Sequence, residues 1–423
     1  NVEDSGNLIS IGGEANFENA KIVSLNNLKH IGGNINFKNS KVSNLGRLQT
    51  INGNVNFTLS EIKHLYGIKS IAGDVSLHNS KIEDLGTLAY VGGNFWVSHS
   101  KITSMGNLKV IKGNLDINNS NDSSAIYSLN GLLAIYGNVD LRYSKVQRLD
   151  SLLYVGGDLK LQTGFIKNGV EDLGNLVYIG GDAEFSGSSI KSLKNLKMIE
   201  GSILINNSKI EDLGALQVVG GNAIFSNSIL KDTGNLKIVG HNLNLKNSLV
   251  ESLNNLLYVY NDLNLANSNL DSSYVKDMGE LISVGGISPN EKRNDVTIHN
   301  SSVKPEIIKI YREIKSEIDD IMITNNIKVT PIKNIIRYYT YSEAYFPYVT
   351  NNIDSLIDYL SKLNKRYFIS IYEIDINDID NYNIPNSQTI KPSYVSTDSS
   401  LLSSYPRPIK SIEVTNITAI TNN

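Results

Sequence analysis

Hydrophobic and polar positions repeat every 20 residues through roughly the first 300 residues of the chain. In one period the apolar residues are Ile35, Phe37, Val42, Leu45, Leu48 and Ile51, with polar residues filling most places between them. The spacing of two across Ile35-Asn36-Phe37 predicts a short strand whose alternate side chains face inward. The spacings of three that follow are too tight for a strand and too short for a helix. They predict a 3₁₀-like or irregular return leg that drops one side chain inward at each turn.

The corner between periods is a triplet such as Ile31-Gly32-Gly33, which recurs as Ile51-Asn52-Gly53, Ile71-Ala72-Gly73 and Val91-Gly92-Gly93. From Ile11 to Val284 there are fourteen copies, and three steps are longer than 20 residues: 111 to 135, 155 to 179, and 259 to 284. Glycine at such a corner points to positive φ or to close backbone approach. A single coil cannot bury its apolar stripe, whereas stacked coils share one continuous core. The fold expected is therefore mainly β, a right-handed β-solenoid of about fourteen 20-residue coils over residues 1–302.

Glycine and proline mark the boundary. All 33 glycines lie at or before Gly286 and all 8 prolines at or after Pro289. A stacked strand needs its N–H for the next coil, which accounts for the missing proline. Beyond the boundary, Ile307, Ile310, Tyr311, Ile314, Ile318 and Ile321 follow helical spacing from Pro305, and this helix is expected to cap the open end of the solenoid. A second helix is predicted over 353–363 and a strand over Tyr367–Ile374. Together these make a small α+β unit over 303–374, with tyrosine concentrated at Arg337–Tyr341 and Tyr345–Tyr348. Residues 375–423 read as a polar, extended tail.

The pattern Ile35-x-Phe37-x-x-Ser40-x-Val42-x-x-Leu45 resembles the leucine-rich repeat, in its short 20-residue bacterial form. The stretch from Leu45 to Phe57 is also similar to the repeats of receptor L domains. The resemblance covers residues 5–302 and implies protein binding without naming a partner. Some bacterial members carry a cysteine-dependent ubiquitin-ligase domain, which a chain with no cysteine cannot supply.

Charge and composition narrow the function classes. Lys+Arg total 39 against Asp+Glu 42, a net charge of −3, so no basic face for nucleic acid is expected. No run approaches the roughly 18 apolar residues of a membrane span. The absence of cysteine removes disulfides, thiolate metal sites and thiol nucleophiles. The first residue is Asn1 rather than Met, which leaves a removed targeting segment open. His78 and His99 fall on adjacent coils at different offsets without a third ligand, so no metal is read, and no cofactor motif is present.

In a repeat, the informative positions are the outward ones that vary. The residue between the two buried strand positions is Asn16, Asn36, Asn56 and Ser76 in the early coils, and Asn244, Asn264 and Thr297 in the late ones. The middle coils carry Trp96, Asp116, Asp140, Lys160, Glu184, Leu204 and Ile224 instead. Trp96, Leu204 and Ile224 read either as binding hot spots or as residues covered by the rest of the chain. Asp116 and Asp140, on neighbouring coils about 5 Å apart, read as a glycosidase-like pair or as a charge ladder partly neutralised by Lys160. The three longer coils put extra residues at Asn121–Ser128, Thr163–Asp172 and Asn269–Glu280, where Phe165 and Tyr274 are candidate anchors. The recurring Asn-Ser pair, as at 39–40 and 79–80, reads as a stack of side chains bonding the backbone at a corner.

The function expected is a non-enzymatic interaction or structural protein, a subunit of a larger assembly such as a virus particle or cell-surface layer. Its partners would be other subunits, copies of itself or other proteins. The alternative is an exported bacterial protein that binds a host protein or glycan; a polysaccharide-active enzyme ranks below both. A virion or extracellular location is favoured over a cytoplasmic one, with no nucleic acid and no membrane insertion.

Overall fold

A computed structural model describes residues 4–118, 126–162, 169–260, 262–265, 279–284, 305–327, 335–340, 367–375, 410–414 and 419–421. The repeats form a parallel β-solenoid with 20-residue coils. Each coil carries two strands of two residues, such as Thr50–Ile51 and Val55–Asn56, on either side of the glycine corner. The first set forms a sheet of 14 strands and the second a sheet of 13, each ordered as the chain runs. The register places like on like, with Ile31 beside Ile51 and Ile35 beside Val55.

The coil is therefore not one strand and a return leg. The expected return leg contains the first strand, and a third side adds single-residue parallel bridges such as Ser24 to Asn44 and His64 to Asp84. With only two residues per strand, no alternation is visible in the first one, and spacings of three hide it.

Inward positions are filled without gaps: Ile51, Val55, Phe57, Ile62, Leu65 and Ile68 are all buried in one coil. Phe17, Phe37 and Phe57 stack along the axis with centroids 5.4 Å apart and planes within 8°. The backbone of each coil bonds the next, for example Val55 N–H to Asp74 O at 2.7 Å and Phe57 N–H to Ser76 O at 2.8 Å.

The glycine corner is a matter of close approach. A Cβ on Gly53 would lie 2.5 Å from the carbonyl carbon of Gly33 and 2.6 Å from the Asn34 nitrogen. Positive φ is needed at a different corner, after the inward leucine, where Gly46 has φ 64°. A ladder of side-chain bonds also runs along another corner. It follows the glycine pair, where Asn34 Oδ1 accepts the Asn54 N–H at 2.8 Å and Asn54 Oδ1 accepts the Asp74 N–H at 2.8 Å. In the Asn-Ser pair, Asn39 supplies a left-handed backbone (φ 52°), bonding across to Asn19 at 2.7 Å. Ser40, Ser60, Ser100, Ser188 and Ser228 are buried with hydroxyls that have no partner among the described residues. In the pairs at 79–80, 207–208 and 247–248 the expected bond to the backbone does form: Ser80 and Ser208 accept the N–H of Ile82 and Ile210 at 3.4 Å, and Ser248 donates to Leu245 O at 2.6 Å. The pairs at 119–120, 267–268 and 300–301 lie outside the described residues.

The chain divides into two compact units: Asn1–Ile199 with Leu204–Leu216 and Asn227–Leu230, and Glu200–Ile203 with Gln217–Ser226 and Lys231–Asn423. Within the second, helix α1 spans Pro305–Thr324 and buries Ile314, Ile318 and Met322 at four-residue spacing. Its Tyr311 hydroxyl donates to Glu200 at 3.1 Å, and Lys315 Nζ meets the same carboxylate at 3.2 Å, both charged side chains being 7% exposed or less. The helix is thus tied to the coil that begins at Glu200, several coils before the strand at Ser283–Val284. In the same unit the outward residues Val218, Ile238 and Tyr258 of the first sheet are buried. Strands Ile335–Thr340, Tyr367–Asp375, Lys410–Val414 and Ala419–Thr421 form an antiparallel sheet in chain order, so the segment read as a tail supplies two of its strands. The second helix expected over 353–363 and the tyrosines at 345 and 348 lie outside the described residues.

Candidate functional site

The outward column of the second sheet has a local job that explains most of its composition. Asn16, Asn36, Asn56, Asp116, Asp140 and Asn244 each accept, through the side-chain oxygen, the N–H two residues further on, at 2.8–3.1 Å. This Asx turn closes the corner after the strand and makes Asn or Asp the residue the backbone prefers there. The side chains of Trp96, Lys160, Glu184, Leu204 and Ile224 have no such oxygen in reach. They are the departures from a local rule, and such departures gather at functional sites.

Trp96 lies between Ser76 and Asp116 in register and is 37% exposed, while its neighbours Phe95 and Val97 are fully buried. A hollow of about 490 Å³ opens beside the indole, lined by Thr58, Ser76, His78, Ser98, His99, Asp116 and Asn118. The His78 and His99 rings meet edge to face with centroids 5.5 Å apart. Asn118 Oδ1 is buried there without a partner among the described residues. A second hollow of about 430 Å³, lined by Asn16, Asn36 and Asn56, shares Ser76 and Trp96 with the first. The two form one polar trough across six coils, from Asn16 to Asp116, with the Trp96 indole as its platform.

His99 occupies the left-handed corner position (φ 57°) that Asn fills at 39, 79, 207, 227 and 247. Leu59 (φ 56°) and Tyr143 (φ 58°) occupy the same position in other coils and are 52% and 39% exposed. A bulky L-residue in this conformation costs about 1–2 kcal/mol, and packing does not repay it at exposed positions. Of these three residues, His99 lines the trough.

Asp116 and Asp140 are register neighbours, but their environments differ. Arg142 holds Asp140 with two bonds, Nε to Oδ1 at 2.9 Å and Nη2 to Oδ2 at 2.7 Å. Burial pushes the Asp116 carboxyl above its usual range; the bond from Asn118 N–H opposes this and Asp140 adds to it. Lys160 pairs with Glu184 at 2.9 Å, so the expected charge run is two ion pairs plus Asp116. Leu204 in the first unit and Ile224 in the second are each half-buried at the outward position. Phe165, Tyr274 and Thr297 lie outside the described residues.

Sequence reasoning overlooked His99 as a rim residue, Asn118 and the clamp from Arg142. The signal for His99 was available, as it interrupts a column of asparagines. It also overlooked the outward column of the first sheet, which runs Ser10, His30, Thr50, Ser70 and then Tyr90, Val110, Ala134, Tyr154, Tyr178 and Met198. From Ala134 onward this column is buried, with Tyr154 and Tyr178 stacked at 5.1 Å. Among the described residues no trio of His, Asp or Glu could hold a metal ion, and no helix is long and apolar enough to cross a membrane.

No protein family, curated protein or solved structure matches this chain.

Proposed function

We propose that the protein is a non-enzymatic interaction or structural protein that meets its partner through the outward face of the second sheet around Trp96. One observation carries the reading: an exposed indole stands where the backbone favours Asn or Asp, and polar side chains line the hollow beside it. Aromatic anchors ringed by polar groups concentrate binding energy. The Asp116–Asp140 pair supports binding better than catalysis, because the clamp from Arg142 bonds both oxygens of Asp140 and pairs the charge that a nucleophile would use. Membership of a larger assembly at a virion or cell surface remains part of the same proposal, as does kinship with leucine-rich-repeat proteins, supported by the inward Leu and Ile spacing.

The test is native mass and stoichiometry of the particle purified from its source, followed by reassembly with variants. Trp96→Ser places at this position the residue that Ser76 supplies one coil earlier, so the coil should fold. It should weaken reassembly about tenfold or more, while Asn244→Ala, in a late coil, changes little. Wild-type reassembly by the Trp96→Ser protein would overturn the proposal.

A further inference from the structure

We infer that the trough at Trp96 is a subsite for an uncharged, polyhydroxylated ligand, a saccharide unit of a glycan, with the indole as its stacking platform. The inference rests on the reading of this face as the contact surface and names what the face takes.

The chemistry of the lining makes the choice. The trough offers hydrogen-bonding groups of both kinds: the indole N–H and two imidazoles beside the hydroxyl of Ser98 and the second carboxylate oxygen of Asp116. Sugar hydroxyls donate and accept at once, and so can pair with this mixed set. A cation would pair only with the acceptors and leave the donors unmet. An anion would face Asp116 beneath the indole, and Asp74 and Glu14 along the adjoining hollow. An apolar group would cover the Ser98 hydroxyl and the second Asp116 oxygen without offering them a partner, which is unfavourable. The indole supplies an amphipathic flat surface of the kind that suits a ligand with one apolar and one wet face. The continuation of the trough along Asn56, Asn36 and Asn16 provides amides for further units of a chain.

Trp96 is the only tryptophan, so its fluorescence reports on this site alone. The full chain would be titrated with neutral tetrasaccharides built on glucose, galactose, mannose and N-acetylglucosamine. Heparin tetrasaccharide and tetramethylammonium would serve as the anionic and cationic probes. A saturable change with at least one neutral sugar, at a midpoint of roughly 1 mM or below, is expected. Calorimetry should then show binding lost in Trp96→Ser and weakened several-fold in His99→Asn, which restores the residue usual at that corner. No response to any neutral sugar, a stronger response to either charged probe, or unchanged binding by Trp96→Ser would overturn the inference. If sugars give no response while Trp96→Ser still impairs reassembly, the saccharide assignment falls and the contact face stands.

Discussion

Replacing Phe37 by alanine tests the coil geometry at its centre. The ring is fully buried and stacked on both sides, 5.4 Å from Phe17 and from Phe57. Loss of a core Phe costs about 3–5 kcal/mol, and each lost aromatic stack is about 0.5–1.5 kcal/mol of that. The coils cannot close on the void, because the Phe17 N–H is held to Asn36 O at 2.8 Å and the Phe37 N–H to Asn56 O at 2.7 Å. The cost should thus fall in the upper part of the range, about 4–5 kcal/mol. Asn36 is one residue away but faces out, half-buried, with one bond from Lys38 N–H and one to Glu18. Its replacement by alanine should cost about 1 kcal/mol. A stacked array need not unfold in one step, so urea unfolding followed by circular dichroism should be paired with hydrogen exchange at the coil 35–57 amides. Equal losses for Phe37→Ala and Asn36→Ala would refute the assignment of inward and outward positions.

Four further outcomes are expected. Gly53→Ala drives a Cβ to within 2.6 Å of backbone in the previous coil and should cost about 1–3 kcal/mol in the same urea assay. Glu200→Ala leaves Lys315 buried without this carboxylate and should cost about 3–5 kcal/mol, whereas Glu200→Leu combined with Lys315→Met and Tyr311→Phe, which removes the hydroxyl that donates to Glu200, should be close to neutral in the same urea assay. The raised Asp116 pKa means that the folded state binds its proton more tightly than the unfolded chain does. The ionised group therefore destabilises the fold above that raised pKa, and the penalty disappears below the usual carboxylate range. Asp116→Asn keeps the Asx oxygen and should unfold at equal or higher urea than wild type at pH 7, the difference closing as pH falls below 3.8. Glu61 behaves oppositely: its bond to Lys81 holds its pKa below 4.5, so its contribution is present at neutral pH and lost as pH falls through that lowered value. Lys81→Ala should abolish that part of the pH dependence in urea midpoints.

The 20-residue period, the inward column through Phe37, Phe57 and Phe225, and the outward position of Trp96 were legible because each coil must meet the same packing demand in the same register. The first strand was hidden because Thr50–Ile51 is too short to show alternation. The column of the Asn34–Asn54 ladder was not legible because Asn stands at several positions per coil. Only backbone direction distinguishes Asn54, which accepts from the next coil, from Asn39, which supplies a left-handed turn. The clamp of Arg142 on Asp140 joins residues two apart on a turn, a contact that strand alternation does not suggest. The docking of α1 could have been anticipated from the residue before each glycine corner, which changes from Ser10 and His30 to Ile238 and Tyr258. A sheet face that turns apolar on its outer side needs a cover.

The most direct test of the contact face is acrylamide quenching of Trp96 in the isolated chain and in the native particle. The indole is 37% exposed in the chain, so quenching should be strong there and fall several-fold in the particle. Equal quenching in both states would contradict the claim that the second sheet meets its partner at Trp96.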